Sequence, residues 1–318
     1  MKTLLLACVL IIVVVSCEND DPPARSPVAE QFLNEVVSIM EDNSINRKSI
    51  DWNDFKQRVF AKADGAKTID DTYAAIAEAL KLLGDNHSFL VKPAGGRISF
   101  NAVQCYVSNV LKPDVPNNIG YVKVNQFSGT TGADGVAFAQ AIQDNIKAQD
   151  KAEIIGWIVD LRSNEGGNMW PMLSGIAPIL GEGVVGYFLD PDGNESAWTI
   201  ENGVSKSGGI AAVSIPNSYK LISPNPKVCV LLDNAVASSG EAIAISFVGR
   251  QKTKSFGSST CGLSTANAGF QLSHDHNLVL TVSYMADRNK NKFGTAVIPD
   301  QFSDDDEIIG DAINWIEN

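Results

Sequence analysis

Two apolar runs, each leading through a small-residue turn into a helical pattern, constrain this chain most. IIGWIVDL (154–161) passes through RSNEGGN into MWPMLSGIAPIL, and KVCVLLD (227–233) passes through NAVASSG into EAIAISFVGR. Neither run alternates apolar with polar residues, so both faces of each strand must be covered. IGYVKVN from residue 119 reads as a strand, GVAFAQAIQDNIKAQ as a helix and LVLTVSYMA as a strand. DDDEIIGDAINWIEN reads as a closing helix with its acids at the positive N-terminal end. Strands alternating with helices give an α/β core with a buried, partly parallel sheet.

A small helical subdomain is expected over 27–90, ahead of an α/β domain over 91–318. Ser26-Pro27 is an N-cap with proline at N1, followed by helical VAEQFLNEVVSIMED. Asp51-Trp52 opens WNDFKQRVFAKA, and Thr68 to Asp71 resembles a capping box before TYAAIAEALKLL. Gly84 stops the helices, and GDNHSF follows as a turn.

The start of the chain reads as an address. Lys2 precedes the 12-residue apolar run 4–15, short of the roughly 20 residues a spanning helix needs, so 1–16 is expected to be a signal peptide. Val14-Val15-Ser16-Cys17 resembles a bacterial lipobox, in which Cys17 would be acylated and become the N-terminus. Acyl chains anchor a protein without a span, and the acidic, proline-rich stretch 17–26 reads as a tether. The expected location is the bacterial cell envelope, on the periplasmic or surface face of the outer membrane.

Asp+Glu at 37 against Lys+Arg at 25 gives a net charge of −12, which argues against a nucleic-acid partner. The five cysteines include no CxxC pair, against a zinc ribbon or thioredoxin-type site. With Cys8 removed and Cys17 acylated, Cys105, Cys229 and Cys261 remain, enough for one disulfide at most; each is otherwise a small buried hydrophobe. Gly181 to Gly186 matches GxGxxG, but a helix pattern precedes it and a strand follows, the reverse of a dinucleotide fingerprint. His274-Asp275-His276 falls where a hairpin turn is expected and reads as an exposed polar turn, with no third metal ligand suggested by spacing. GxSxG is absent. No metal or cofactor is expected.

Three segments carry acyl-transfer chemistry. After the strand at 156–160, Gly166-Gly167 opens a helix and can bring backbone N–H groups close to an oxyanion, unless this is only a tight turn beside a structural Asp160–Arg162 pair. Ser238 stands where another strand–loop–helix turn begins its helix, and the Ser239 N–H beside it can join an oxyanion hole; the competing reading is an N-cap with Glu241 at N3. His87, one of three histidines, lies in a glycine turn and can serve as a base for a serine.

LGDNHSF, WIVDLRSNEGGNMWPM, DNAVASSGEAIAISF, FGSSTCGLST and AVIPD, in that order, resemble the tail-specific, or C-terminal processing, serine peptidase family. That family includes the tricorn protease core and interphotoreceptor retinoid-binding protein modules. The resemblance runs from about residue 30 to 300. It implies a crotonase-like β/α spiral, with Ser238 as nucleophile, His87 as general base, and oxyanion amides at Ser239 and at Gly166 or Gly167. The processing branch uses a lysine in a G-K step; here that step is Gly262-Leu263, which adds weight to His87. The tricorn-like branch has a serine before its histidine, here Asn86, and an acid before G-V-x-P-D, here Lys292-Phe293-Gly294. Asp287 is the nearest acid and is assigned to orient His87, against a turn-starting role or a pair with Arg288. About 30 residues separate Leu90 from the strand at 119, too few for a PDZ domain of roughly 80–90.

The resemblance implies a serine peptidase acting on peptides or unfolded protein. The alternatives are a non-catalytic lipoprotein binding peptides or apolar ligands on the same fold, and a serine esterase. An unperturbed histidine base would lose activity below about pH 6.5.

Overall fold

A computed structural model describes residues 24–100, 103–106, 110 and 112–318. Cys8, Cys17 and the leader lie outside the described residues. The elements in chain order are α1 (Pro27–Asn43), α2 (Trp52–Ala61), α3 (Tyr73–Leu83), β1 (Phe89–Val91), β2 (Arg97–Ser99), β3 (Ile119–Lys123) and α4 (Ala133–Gln149). There follow β4 (Gly156–Asp160), α5 (Met169–Leu180), β5 (Gly183–Leu189), β6 (Glu195–Glu201), β7 (Val204–Ser207) and β8 (Ile210–Ser214). The chain closes with β9 (Lys227–Leu232), α6 (Ser239–Phe247), β10 (Thr253–Gly257), β11 (Thr265–Gln271), β12 (Asn277–Ala286), β13 (Gln301–Phe302) and α7 (Ile308–Glu317).

The α/β reading holds. Five parallel strands, in the order β13-β10-β9-β4-β3, form the sheet anticipated from the apolar runs. The period of two sorts their side chains onto opposite faces. Trp157, Val159, Val228, Val230 and Leu232 pack with α5 and α6, while Ile158, Cys229, Leu231 and Phe256 pack under Ile308, Ala312 and Ile316 of α7. A second, eight-stranded sheet has the order β2-β1-β12-β5-β6-β7-β8, with β11 on the other edge of β12.

The N-terminal helices start as their caps dictate. Ser26 Oγ accepts the Ala29 N–H, and Asp51 Oδ1 accepts those of Asn53 and Asp54. Thr68 and Asp71 exchange the hydrogen bonds of a capping box. The apolar faces of these helices (Phe32, Val36, Met40, Val59, Ile76, Leu80) share one cluster with Leu272, Leu278 and Leu280 of the β11–β12 hairpin.

His274 and Asp275 form that hairpin's turn with φ of +55° and +58°. His276 departs from the expected exposed turn. It is buried, packs at a tilt against Phe32, donates from Nδ1 to the His274 carbonyl and faces the Tyr73 hydroxyl at 2.9 Å. Its backbone begins a strand that runs beneath the helices, which draws the ring inward. Cys105 and Cys261 form a disulfide, and Cys229 is free and buried. No helix among the described residues is long and apolar enough to cross a membrane.

Candidate active site

A cleft of about 1070 Å³ brings together His87, Gly166, Gly167, Ser238 and Ser239. Three turns, distant in sequence, build it.

The serine turn follows β9. Ser238 begins α6 with φ +52° and ψ −118°. An ordinary N-cap lies in the extended region; this residue does not, at a cost of order 1–3 kcal/mol. The surroundings enforce the strain. Ala237 donates its N–H to the Asn164 carbonyl at 3.0 Å, and Ser238 donates its own to Glu241 Oε2 at 2.9 Å. Glu241 is fully buried and also accepts the Thr260 hydroxyl (2.6 Å) and the N–H groups of Gly262 (2.9 Å) and Leu263 (2.7 Å). Burial pushes its carboxyl up to about 7, with those donors pulling back. Glu241 thus ties the serine turn to the segment after β10. Glu241→Ala leaves four donors without their acceptor and is expected to destabilise the fold by about 3 kcal/mol or more, read from urea midpoints.

The glycine turn follows β4. A Cβ on Gly166 would lie 2.7 Å from the Ala237 carbonyl oxygen and 3.0 Å from the Ser238 Cβ, so only glycine lets the turns meet. The Gly166 N–H is already given to Asn164 Oδ1 at 2.9 Å, which removes it as an oxyanion donor. The Gly167 N–H makes no hydrogen bond among the described residues, and the Ser239 N–H, first in α6, has no intrahelical acceptor. The Ser239 hydroxyl donates to the Gly167 carbonyl and locks the two turns together. Asp160 and Arg162 form the buried structural pair.

The histidine turn joins α3 to β1. Gly84 ends α3 at φ +69°. Asp85 Oδ1 accepts the N–H groups of His87 and Ser88, and its Oδ2 accepts the Ser88 hydroxyl. Ser88 Oγ in turn accepts the Thr281 N–H of β12, fixing the turn to the sheet. His87 Nδ1 lies 2.9 Å from Thr265 Oγ1, which leaves Nε2 as the nitrogen with no hydrogen bond among the described residues. Burial pushes the imidazole down to about 4, with the Asp85 carboxylate opposing. The ring is therefore neutral at pH 7, as a base requires.

The assignment of Asp287 does not survive. Its Oδ1 accepts the N–H groups of Asn289 and Asn291, and its Oδ2 accepts the Asn291 side-chain amide. It starts the turn after β12 and is not on the cleft wall. Thr265 holds His87 instead, and neither it nor Asp85 was singled out from the sequence. The signal was present for Asp85, two residues before the histidine in an Asx turn. Asp287→Asn is expected to keep hydrolysis within about threefold while lowering the urea midpoint, whereas Thr265→Val lowers kcat by about tenfold or more.

With a serine on a strained turn, a neutral imidazole in the same cleft and two free N–H groups, the site can perform acyl transfer through a covalent intermediate. The chain is 27% identical over 293 residues to the nisin-resistance protein of Lactococcus lactis subsp. lactis, covering 92% of this chain and 88% of the relative. A lipoprotein structure from Streptococcus agalactiae superposes with a TM-score of 0.73 at 22% identity, over 92% of this chain and 97% of that one. The photosystem II D1 C-terminal processing protease superposes with a TM-score of 0.56 at 14% identity, over 91% and 97%. These structural likenesses show a shared fold. The family model for peptidase family S41 matches residues 118–302, which hold both the serine and the glycine turns, and the chain belongs to that family.

Proposed function

We propose that this protein is a serine peptidase of the cell envelope, anchored through acylated Cys17, that hydrolyses peptides or unfolded protein segments. The observation that carries the reading is Ser238, held at φ +52° in a cleft shared with His87.

Ser238 Oγ attacks the peptide carbonyl and its proton passes to His87 Nε2. The Gly167 and Ser239 N–H groups hold the tetrahedral oxyanion. The C–N bond then breaks, and Nε2 returns the proton to the departing amine. Water attacks the acyl-serine, gives a proton to Nε2, and Ser238 leaves with that proton restored. Thr265 positions the imidazole, and Asp85 opposes the effect of burial on its charge. A hydroxyl cannot compensate an imidazolium as a carboxylate does, so this base works without the usual anionic partner.

The test is digestion of a peptide library by the full chain in detergent, read by mass spectrometry, beside turnover of p-nitrophenyl esters. Cleavage of peptides that is lost in Ser238→Ala supports the reading. Ester turnover without peptide cleavage would make it an esterase, and no turnover of either would leave a binding lipoprotein.

A further inference from the structure

Arg97, on β2, faces the catalytic cleft with its charge unpaired. β1 runs beside β2 with Phe89 opposite Ser99 and Val91 opposite Arg97, and His87, Phe89, Arg97 and Ser99 all line the cleft. The guanidinium carbon of Arg97 lies 4.4 Å from the centre of the Phe89 ring. A cation over an aromatic face is held by the ring's quadrupole and needs no hydrogen bond. The guanidinium makes no hydrogen bond or ion pair among the described residues, so its N–H groups are open to a ligand. Every other arginine of the chain is engaged. Arg25, Arg58 and Arg162 pair with carboxylates, and Arg47, Arg250 and Arg288 donate to backbone carbonyls.

The chain has a net charge of −12, so an unpaired cation on the cleft wall runs against the prevailing field. Beside the neutral His87, the other ionisable side chain of the lining is Glu165, one residue before Gly166 in the glycine turn. The glycine end of the cleft therefore repels an anion, and the β2 end attracts one. An arginine with open N–H groups matches a carboxylate in a bidentate pair. Phe89 is two residues on from His87, about 7 Å along an extended chain. A substrate lying extended past the base would therefore reach the Phe89 ring and its cation within about three residues.

We propose that Arg97 is a specificity-determining residue that selects peptides carrying a carboxylate within about three residues of the cut bond. The inference rests on the peptidase reading above and names the substrate class of that site. The carboxylate comes from an aspartate or glutamate side chain or from a free C-terminus, and the guanidinium meets both in the same way. Arg97 stands away from the reacting atoms, so it adds to substrate binding and not to the chemical step. Its effect therefore belongs in KM. The site is open to solvent, so the preference weakens as salt screens the pair.

The experiment gives the full chain in detergent a library of acetylated peptides built from Ala, Leu, Ser and Phe, with Glu, Gln or Lys at one position. Each is made as the free acid and as the C-terminal amide, and cleavage is mapped by mass spectrometry. In the wild type at low salt, the carboxylate-bearing member of a pair is expected to be cut with about tenfold higher kcat/KM than its neutral counterpart. Glu preferred over Gln in the amide series assigns the carboxylate to a side chain; acid preferred over amide assigns it to the C-terminus. Arg97→Gln is expected to bring the ratio to about one, by a change in KM, and Arg97→Lys to keep part of it. Arg97→Glu is expected to reverse it, so that Lys is preferred over Gln. A wild type that cuts both members of every pair equally, or a preference that survives in Arg97→Gln and Arg97→Glu, overturns the role of Arg97 while the peptidase reading stands. A wild type that cuts no peptide overturns both.

Discussion

Ser238→Ala is expected to lower kcat by about 10⁴–10⁶-fold, leaving the residual rate that binding and oxyanion donors give without a nucleophile. The fold should survive the change. Alanine keeps the backbone N–H given to Glu241 and loses only the side-chain half of the capping box that Ser238 and Glu241 form, about 1 kcal/mol. Alanine also meets the positive φ at much the same cost as serine, because the strain comes from the Cβ. A urea midpoint lowered by no more than that cap beside a collapsed kcat would separate loss of chemistry from loss of structure. A serine that served only as a cap would give the same small loss of stability with intact turnover.

His87→Ala is expected to cost about 10²–10⁴-fold in kcat, the range for removing a general base. The pH profile distinguishes this histidine from an ordinary one. Neutral imidazole is the active form, so rate is lost as pH falls through the pKa. Burial has moved that value from the usual 6.5 to about 4. Wild-type kcat/KM should therefore stay level from pH 8 to about 5 and fall only near 4, not below about 6.5 as an unperturbed ring would give. The same shift bears on stability. The folded ring binds its proton less readily than the unfolded chain, so its contribution is present above about pH 6.5 and is lost as pH drops toward 4. A half-loss of activity near pH 6.5 would mean that the ring is solvated in the working enzyme.

The parts of the site built by local chain geometry were legible in the sequence. The apolar runs and the small-residue turns after them placed Ser238 and the glycine pair at the starts of two helices, and the resemblance supplied their roles. The choice between Gly166 and Gly167 was not legible, because it depends on which N–H the Asn164 side chain occupies. The partner of His87 was not legible either. Asp287 and Thr265 lie near opposite ends of the β11–β12 pair in sequence, and only the register, which sets Thr265 opposite Tyr284, decides which can reach the ring. The same limit applies to the disulfide, whose cysteines are 156 residues apart. The β5–β8 meander was read only at its first strand, since strands such as β6 (Glu195–Glu201) and β7 (Val204–Ser207) carry no continuous apolar run.

The central claim is that Ser238 is a nucleophile activated by a half-buried, neutral His87. The most direct measurement is the rate and position of fluorophosphonate labelling of the full chain in detergent, with the adduct located by peptide mass mapping. The account predicts one adduct, on Ser238, absent in Ser238→Ala, at least about 100-fold slower in His87→Ala, and slowed in the wild type only as pH approaches 4. A folded wild type that takes up no probe, or that carries the adduct on a different residue, would contradict it.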